Sequence, residues 1–195
     1  METTIETQTE KTFEGFPKIA RLNREVVVSE KIDGTNAAVV VADDGTVYAQ
    51  SRTRIITPSD DNFGFARWVS ENADALRDQL GYGRHFGEWW GAGIQRRYGL
   101  NEKRFSLFNL HKWHGGPTDG WRCIEAPVCY VVPTLRVMET FDTVAIASLL
   151  KSLAAGGSLA APAFMNPEGV VVYHRHSGAL YKATIENDDR GKEHE

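Results

Sequence analysis

The chain has little cysteine and no long apolar run. Only Cys123 and Cys129 occur among its 195 residues. Two cysteines are too few for a disulfide framework, so we expect both to be reduced and buried. No apolar run reaches the length needed to span a membrane. Residues 1–12 are polar and acidic, unlike a signal peptide. These features predict a cytoplasmic protein that makes no membrane contact.

Positive charge is not in excess. The chain has 22 Lys and Arg residues against 26 Asp and Glu residues, and its net charge is −4. This balance excludes a uniformly basic nucleic-acid-binding protein, although it allows a local basic groove. The strand, glycine-rich loop and helix of a dinucleotide site or P-loop are also lacking. A nucleotide would therefore have to be bound in another way.

The composition is that of a globular protein, with 42% hydrophobic and 25% charged residues. The length is compatible with one domain over residues 1–195, in which 1–12 and 187–195 are expected to be flexible. Short valine runs and alternating patterns predict strands. The predicted strands are 25–30, 36–41, 46–51, 84–89, 104–110, one within 121–132, 169–174 and 179–185.

Two helices are predicted between these strands. Apolar residues spaced by three and four from Phe65 to Leu80 indicate one amphipathic helix, capped by Ser59 or Asp60 and ended by Gly81 and Gly83. A second helix is predicted over 142–153 and ends at two glycines. The pattern as a whole favours an α+β fold, with mainly antiparallel sheets and flanking helices.

One lysine is in an unusual position. Residues 29–41 read SEKIDGTNAAVVV, which places Lys31 at the edge of a buried strand. The simple interpretation is a solvated lysine at a strand end, followed by an Asp-Gly turn. The alternative is a nucleophile, because a lysine amine attacks in its neutral form, which partial burial and nearby cations favour.

Five further segments carry candidate site residues. Each residue alone is more often a solvated strand end or a core side chain than a functional group. The residues are Arg52 in SRTR, Glu88 in HFGEWWG, Phe108 in RFSLFNL, Glu168 in PEGVVVYH and Lys182 in LYKAT. Arginine binds phosphate in a bidentate manner, and a buried glutamate needs a hydroxyl, a metal or a cation as its partner.

The order of these segments resembles the collinear motifs of the covalent nucleotidyltransferases, which include ATP-dependent RNA and DNA ligases and mRNA capping enzymes. EKIDGTN, GEWWG and FMNPEGVVVY are most similar to the RNA ligases of the phage type-2 class. The resemblance extends from about residue 26 to about residue 186. It implies the nucleotidyltransferase (ATP-grasp-like) domain of ligases, with no appended OB domain.

The resemblance implies an ATP-dependent RNA ligase. Lys31 would attack the α-phosphate of ATP and carry AMP through a phosphoramide bond. Glu168 would be associated with Mg²⁺, for which Mn²⁺ can substitute, and Lys182 would bind the α-phosphate. AMP would then pass to an RNA 5′-phosphate, and a 3′-hydroxyl would seal the break.

Further positions match nucleotide-binding residues of the family. Glu88 would bind a ribose hydroxyl, Phe108 would stack on adenine, and Arg52 would bind the ribose or the terminal phosphates. The remaining matches, which surround the lysine, are Glu30, Gly34 and Asn36. The family's last motif usually has two lysines spaced by one residue, whereas Leu180 and Thr184 stand at that spacing from Lys182.

The expected partner is RNA, for which a nicked duplex, an RNA/DNA hybrid, a single strand and a tRNA-like RNA all stay open. Without a second domain, we expect a partner protein to replace it, or the domain's own basic residues to bind the RNA. Those residues are Arg52, Arg54, Arg96, Arg97 and Arg104. Trp89 or Trp90 is a candidate for base stacking, with core packing the simpler interpretation. The alternatives are a DNA nick ligase, a capping enzyme, and a nucleotide-binding module without full ligase activity.

Overall fold

The computed structural model describes residues 13–16, 18–108 and 129–186. Within these residues the chain forms two β-sheets and three helices. The predicted flexible ends, 1–12 and 187–195, lie outside the described residues. So do Cys123, the last part of the predicted strand 104–110 and most of the range 121–132. Cys129 is buried, as expected.

The larger sheet has six strands in the order β4-β3-β2-β5-β6-β7. Its strands are β2 (Thr35–Val41), β3 (Val47–Ser51), β4 (Ile55–Ile56), β5 (Gly83–Gly91), β6 (Lys103–Leu107) and β7 (Tyr130–Val131). β2 and β3 form the predicted hairpin. Only β6 and β7 pair in parallel among the described strands, so the sheets are mainly antiparallel, as predicted.

Two short helices cover one face of this sheet, where a single long helix was predicted. α1 (Phe65–Glu71) and α2 (Ala73–Leu80) are separated by Asn72, whose side-chain amide and backbone N–H both donate to the Trp68 carbonyl. Asn72 leaves helical geometry because its amide competes for backbone partners. The cap prediction was also wrong, since α1 begins after Gly64 and the Asp61 carboxylate accepts from its first turn.

The main core lies between these helices and the larger sheet. Phe65 and Trp68 pack against Trp89 and Phe105, with ring centroids between 5.1 and 5.9 Å apart. Trp89 and Phe105 project from the same face of neighbouring strands, because they are paired residues of β5 and β6. This packing fixes the outward direction of the alternate residues, which form the opposite face of the sheet.

The smaller sheet has four strands in the order β10-β9-β1-β8. They are β1 (Val26–Lys31), β8 (Thr134–Met138), β9 (Gly169–His174) and β10 (Ala179–Thr184). β8 was not predicted. α3 (Thr143–Gly156) packs on one face, and its N-cap Asp142 accepts from the Val144 and Ala145 amides. None of the helices in the described ranges is long and apolar enough to cross a membrane.

Candidate active site

The predicted nucleophile and the predicted metal-associated carboxylate lie together. β1 and β9 are antiparallel, and Lys31 pairs with Gly169. Glu168 immediately precedes this residue. The Lys31 Nζ atom donates to Glu168 Oε2 at 2.5 Å, and the two side chains are 23% and 17% exposed. The ion pair is therefore sheltered but open to a small ligand.

The larger sheet contributes Glu88 to the same place. Its Oε1 atom accepts from the Gly34 backbone N–H at 3.0 Å, and its side chain is buried. Burial raises the pKa of Glu88 to about 7, and the negative charges of Glu168 and Asp33 act in the same direction. Lys31 and the Gly34 N–H partly oppose this shift. A buried carboxylate next to a lysine and two other acids is typical of a functional site.

Gly34 is required here because the backbone passes very close to β5. A Cβ atom at this position would lie 2.5 Å from the Trp89 carbonyl oxygen and 2.9 Å from the Glu88 Cγ. Real Cβ atoms do not approach other atoms so closely. The absence of a side chain lets the loop after Lys31 reach the Glu88 carboxylate. This contact joins the two sheets at the site.

Arg96 links three segments around the lysine. Its guanidinium donates to the Asp33 carboxylate at 3.1 Å, to the Asn166 carbonyl at 3.3 Å and to the Glu186 carboxylate at 3.4 Å. Its side chain is only 21% exposed. These contacts hold the loop after Lys31 against the segments that flank β9 and β10. From the sequence, Arg96 was expected only as an RNA-binding residue, so its network was missed.

The segment that carries Arg96 is strained. Gln95, Arg97 and Tyr98 all have positive φ angles of 43°, 60° and 51°. Such backbone strain persists where surrounding contacts require it, and it concentrates at functional sites. Here it brings the Tyr98 hydroxyl to accept from the Asp33 backbone N–H at 2.7 Å. The sequence signal was the polar, glycine-flanked run GIQRRYGL, which no motif identified.

An apolar cluster with residues from both sheets supports the site. The Tyr98 ring packs edge-on against Trp90 at 4.9 Å, and the Trp90 indole N–H donates to the Ser106 hydroxyl. Trp89 and Trp90 are both buried, which agrees with core packing and leaves neither free to stack on a base.

Glu30 faces away from Lys31. Adjacent residues of a strand point to opposite faces, and the Glu30 carboxylate accepts from the Ser158 hydroxyl and from the Leu159 and Ala160 amides. These donors belong to the loop that follows α3. Burial raises the pKa of Glu30, and these three donors oppose the rise. The carboxylate thus anchors a loop, and a nucleotide contact remains a prediction for the main chain of Glu30.

Several predicted residues share the face of the larger sheet that lies opposite α1 and α2. Asn36 pairs with Glu88, which in turn pairs with Ser106. Arg52 follows the end of β3 and is exposed, close to the end of β2 that carries Asn36. Phe108 follows β6, is 40% exposed and donates its N–H to the Phe86 carbonyl. The sheet therefore brings Asn36, Glu88 and Phe108 onto one surface.

Lys182 lies on the face of the smaller sheet that carries Lys31. Lys182 pairs with Val171, and Val171 pairs with Ser29, two residues before Lys31. The α3 face is occupied instead by the neighbours of Lys182, since Tyr181 packs edge-on against Phe141. Lys182 is exposed, and its binding of an α-phosphate stays a prediction. Thr184 pairs with Gly169, and Gly169 pairs on its other side with Lys31.

Three of the five candidate RNA-binding arginines are already engaged. Arg54 forms a bidentate pair with Asp60. Arg104 pairs with Glu102 and lies over the Trp90 and Tyr130 rings, and Arg96 belongs to the network described above. Arg52 and Arg97 are exposed.

Glu168 fits a role in holding a divalent cation together with a ligand. No group of three or more His, Cys, Asp and Glu side chains able to hold a metal occurs in the described part of the chain. Mg²⁺ is commonly bound by one or two carboxylates, with water and substrate phosphate oxygens completing its shell. A single partly exposed carboxylate such as Glu168 is compatible with that donor set.

The described residues thus place Lys31 where two mainly antiparallel sheets meet. The chain belongs to the RNA ligase family, whose model matches residues 24–184. No curated protein matches the sequence.

Solved structures of RNA ligases have the same fold. A Naegleria gruberi RNA ligase with AMP and Mn matches 84% of this chain at 20% identity and a TM-score of 0.56. An archaeal ATP-dependent RNA ligase matches 90% of this chain at 19% identity and a TM-score of 0.56. The chain spans about half the length of these ligases, 50% and 49% respectively.

Proposed function

We propose that the protein is an ATP-dependent RNA ligase that forms a lysyl-AMP intermediate at Lys31. The observation that carries this proposal is the 2.5 Å contact between Lys31 and Glu168 within a domain of the RNA ligase family. Matching structures contain AMP or ATP with Mn, which supports a nucleotide and a divalent cation as ligands.

In the first step the Lys31 Nζ atom attacks the α-phosphorus of ATP. An N–P bond forms, the bond between the α-phosphorus and the bridging oxygen breaks, and pyrophosphate leaves with the electron pair. The amine loses a proton, for which the Glu168 carboxylate is the adjacent acceptor. Such transfers depend mainly on positioning and charge neutralisation. Arg96 and Gly34 supply the positioning, because they fix the loop that follows the nucleophile.

The remaining residues have proposed binding roles. Glu88 accepts a hydrogen bond from a ribose hydroxyl, Phe108 stacks on adenine, and Lys182 binds the α-phosphate. Asn36 and Arg52 lie beside Glu88 and contact the ribose or the terminal phosphates. Glu168 would also hold Mg²⁺ or Mn²⁺, which when bound would neutralise charge on the phosphates.

In the later steps AMP passes from Lys31 to the 5′-phosphate of RNA, and a 3′-hydroxyl displaces AMP to seal the strand. The exposed Arg52 and Arg97 are the proposed RNA contacts in the described residues. A nicked duplex or an RNA/DNA hybrid is the proposed form of the substrate, and a partner protein is proposed to assist RNA binding. A cytoplasmic location remains a prediction from the sequence.

The test is to incubate the protein with α-labelled ATP and Mg²⁺ and to measure label and intact mass after denaturation. We expect one adenylyl group on the wild type and on Lys151→Ala, an exposed-lysine control, and none on Lys31→Ala. A second assay compares sealing of nicked RNA and nicked DNA. ATP binding without an adduct, under Mg²⁺ and Mn²⁺, would instead support a nucleotide-binding module.

A further inference from the structure

Phe86 is an exposed aromatic residue in the interior of the larger sheet. Its side chain is 53% exposed on β5, which has β2 and β6 as neighbours. In the described strands, the other large apolar side chains with high exposure lie on the edge strands β4, β8 and β10. They are Ile55, Val137, Leu180 and Tyr181. A single exposed apolar side chain is ordinary, but Phe86 and Phe108 are both exposed, and a contiguous exposed apolar patch can mark a ligand-binding groove.

Phe86 lies next to the proposed nucleotide contacts. It is two residues from Glu88 on a regular strand, so both side chains point to the same face. Gly87 pairs with Leu107, and the Phe108 N–H donates to the Phe86 carbonyl at 2.9 Å. Phe86 and Phe108 are therefore directly opposite each other across the strands. Opposite residues of this kind have Cβ atoms about 4.5–5.5 Å apart.

The order of groups along β5 matches the order of groups in a nucleotide. Glu88 bonds to Gly34, which is three residues from Lys31, where the α-phosphate is proposed to react. Phe86 lies two residues further from that point, about 7 Å along the strand at about 3.4 Å per residue. A ribose at Glu88 would thus place its base over Phe86 and Phe108.

We propose that Phe86 forms, together with Phe108, the apolar platform that binds the adenine base of ATP. The proposal rests on the function proposed above and adds a residue that determines nucleotide affinity. Two adjacent aromatic rings present a surface wide enough for a purine. Phe86 has no polar group with which to read the base edge, so its contribution is to affinity for a base as such.

The test measures the rate of Lys31 adenylation as a function of ATP concentration. In Phe86→Ala we expect the ATP concentration for half-maximal rate to rise about 10-fold or more, with a maximal rate within about 2-fold of wild type. Phe86→Tyr, which keeps the ring, should behave like wild type. Tyr82→Ala removes an even more exposed ring just before β5 and should have no effect.

Inorganic tripolyphosphate has no base, so as a competitor it separates binding of the phosphates from binding of the base. Its inhibition constant should be the same for wild type and Phe86→Ala. An unchanged ATP requirement in Phe86→Ala would overturn the proposal, as would an effect confined to the RNA concentration dependence, which would place an RNA base on Phe86.

Calorimetric ATP binding separates this proposal from the proposed function. If the wild type forms no adduct but Phe86→Ala still weakens ATP binding, the result supports the role of Phe86 and contradicts the proposed ligase chemistry. If the wild type forms the adduct and Phe86→Ala binds ATP normally, only the platform fails. Thermal unfolding of each variant confirms that the fold is intact.

Discussion

Lys31 and Glu168 are 137 residues apart in the chain, and their side chains meet at 2.5 Å. The meeting follows from the antiparallel pairing of β1 with β9, which sets Lys31 opposite Gly169. A Cβ atom on Gly169 would lie 2.2 Å from the Ala183 carbonyl oxygen, so β10 also packs closely at this point. The ends of three strands thus converge beside the nucleophile.

Glu168→Gln should slow adenylation strongly while leaving the fold intact. The amide keeps the shape of the side chain but cannot neutralise the Lys31 ammonium, accept its proton or hold a divalent cation. We expect the single-turnover rate of adduct formation to fall by about 100-fold or more. Glu139→Gln, an exposed carboxylate in the segment after β8, is the control and should keep the wild-type rate. A similar rate in both variants would remove Glu168 from the chemistry.

Arg96→Ala should impair both stability and adenylation, because it releases the Asp33 loop from two other segments. We expect the free energy of unfolding to fall by about 1–3 kcal/mol, as for hydrogen bonds to charged groups, and the adenylation rate to fall by about 10-fold or more. Arg96→Lys should restore little, since an ammonium cannot reproduce the three-way guanidinium contact. The neighbouring exposed Arg97→Ala serves as the control, and equal effects in the two alanine variants would count against the network.

Gly34→Ala should be strongly unfavourable. The new methyl group would collide with the Trp89 carbonyl and the Trp90 and Glu88 side chains. Overpacking of this kind costs about 1–3 kcal/mol of unfolding free energy, measured by denaturant titration. Gly156→Ala is the matched control, because its added Cβ meets no atom within 4 Å at the end of α3. That control should be neutral or up to about 1 kcal/mol more stable.

Glu88 should make stability depend on pH in a defined window. Its pKa rises from 4.5 to about 7 on folding, so the folded state binds more protons than the unfolded state between these values. The unfolding free energy should therefore fall as pH rises from about 4.5 to 7, by up to the order of 3 kcal/mol. Glu88→Gln should flatten this dependence. Glu30 contributes to the pH dependence with the same sign in the wild type and in Glu88→Gln. The difference between their two pH profiles therefore reports on Glu88.

Glu30→Gln tests whether this glutamate contacts the nucleotide through its side chain. The amide nitrogen would face donors from the 158–160 loop, so we expect a loss of about 1–3 kcal/mol of stability. The ATP concentration for half-maximal adenylation should be unchanged, because the carboxylate points to the α3 face. A rise in that concentration at full folding would contradict the structural role.

The sequence by itself determined most of the strands, the start of α3 and the order of the motifs, but not β4, β8 or the break between α1 and α2. Alternation and valine runs located both hairpins, and Asp142 marked the start of α3, because caps and periodicity are local properties. It also identified the lysine, its carboxylate partner and the glutamate of GEWWG as one set. The resemblance assigns these motifs to one site, so their side chains were expected to lie close together.

The tertiary structure alone decided which side chains face that site. Glu30 and Lys31 are adjacent, but strand alternation points their side chains to opposite faces. The Glu30 carboxylate therefore binds the loop after α3, whereas the Lys31 amine stays accessible beside Glu168. Arg96 and Tyr98 reach Asp33 through a strained turn that carries no local signature. The position of Phe86 could not be recognised from the sequence, because only the strand order shows that β5 lies inside the larger sheet. Such properties depend on contacts between segments distant in sequence, which local patterns do not encode.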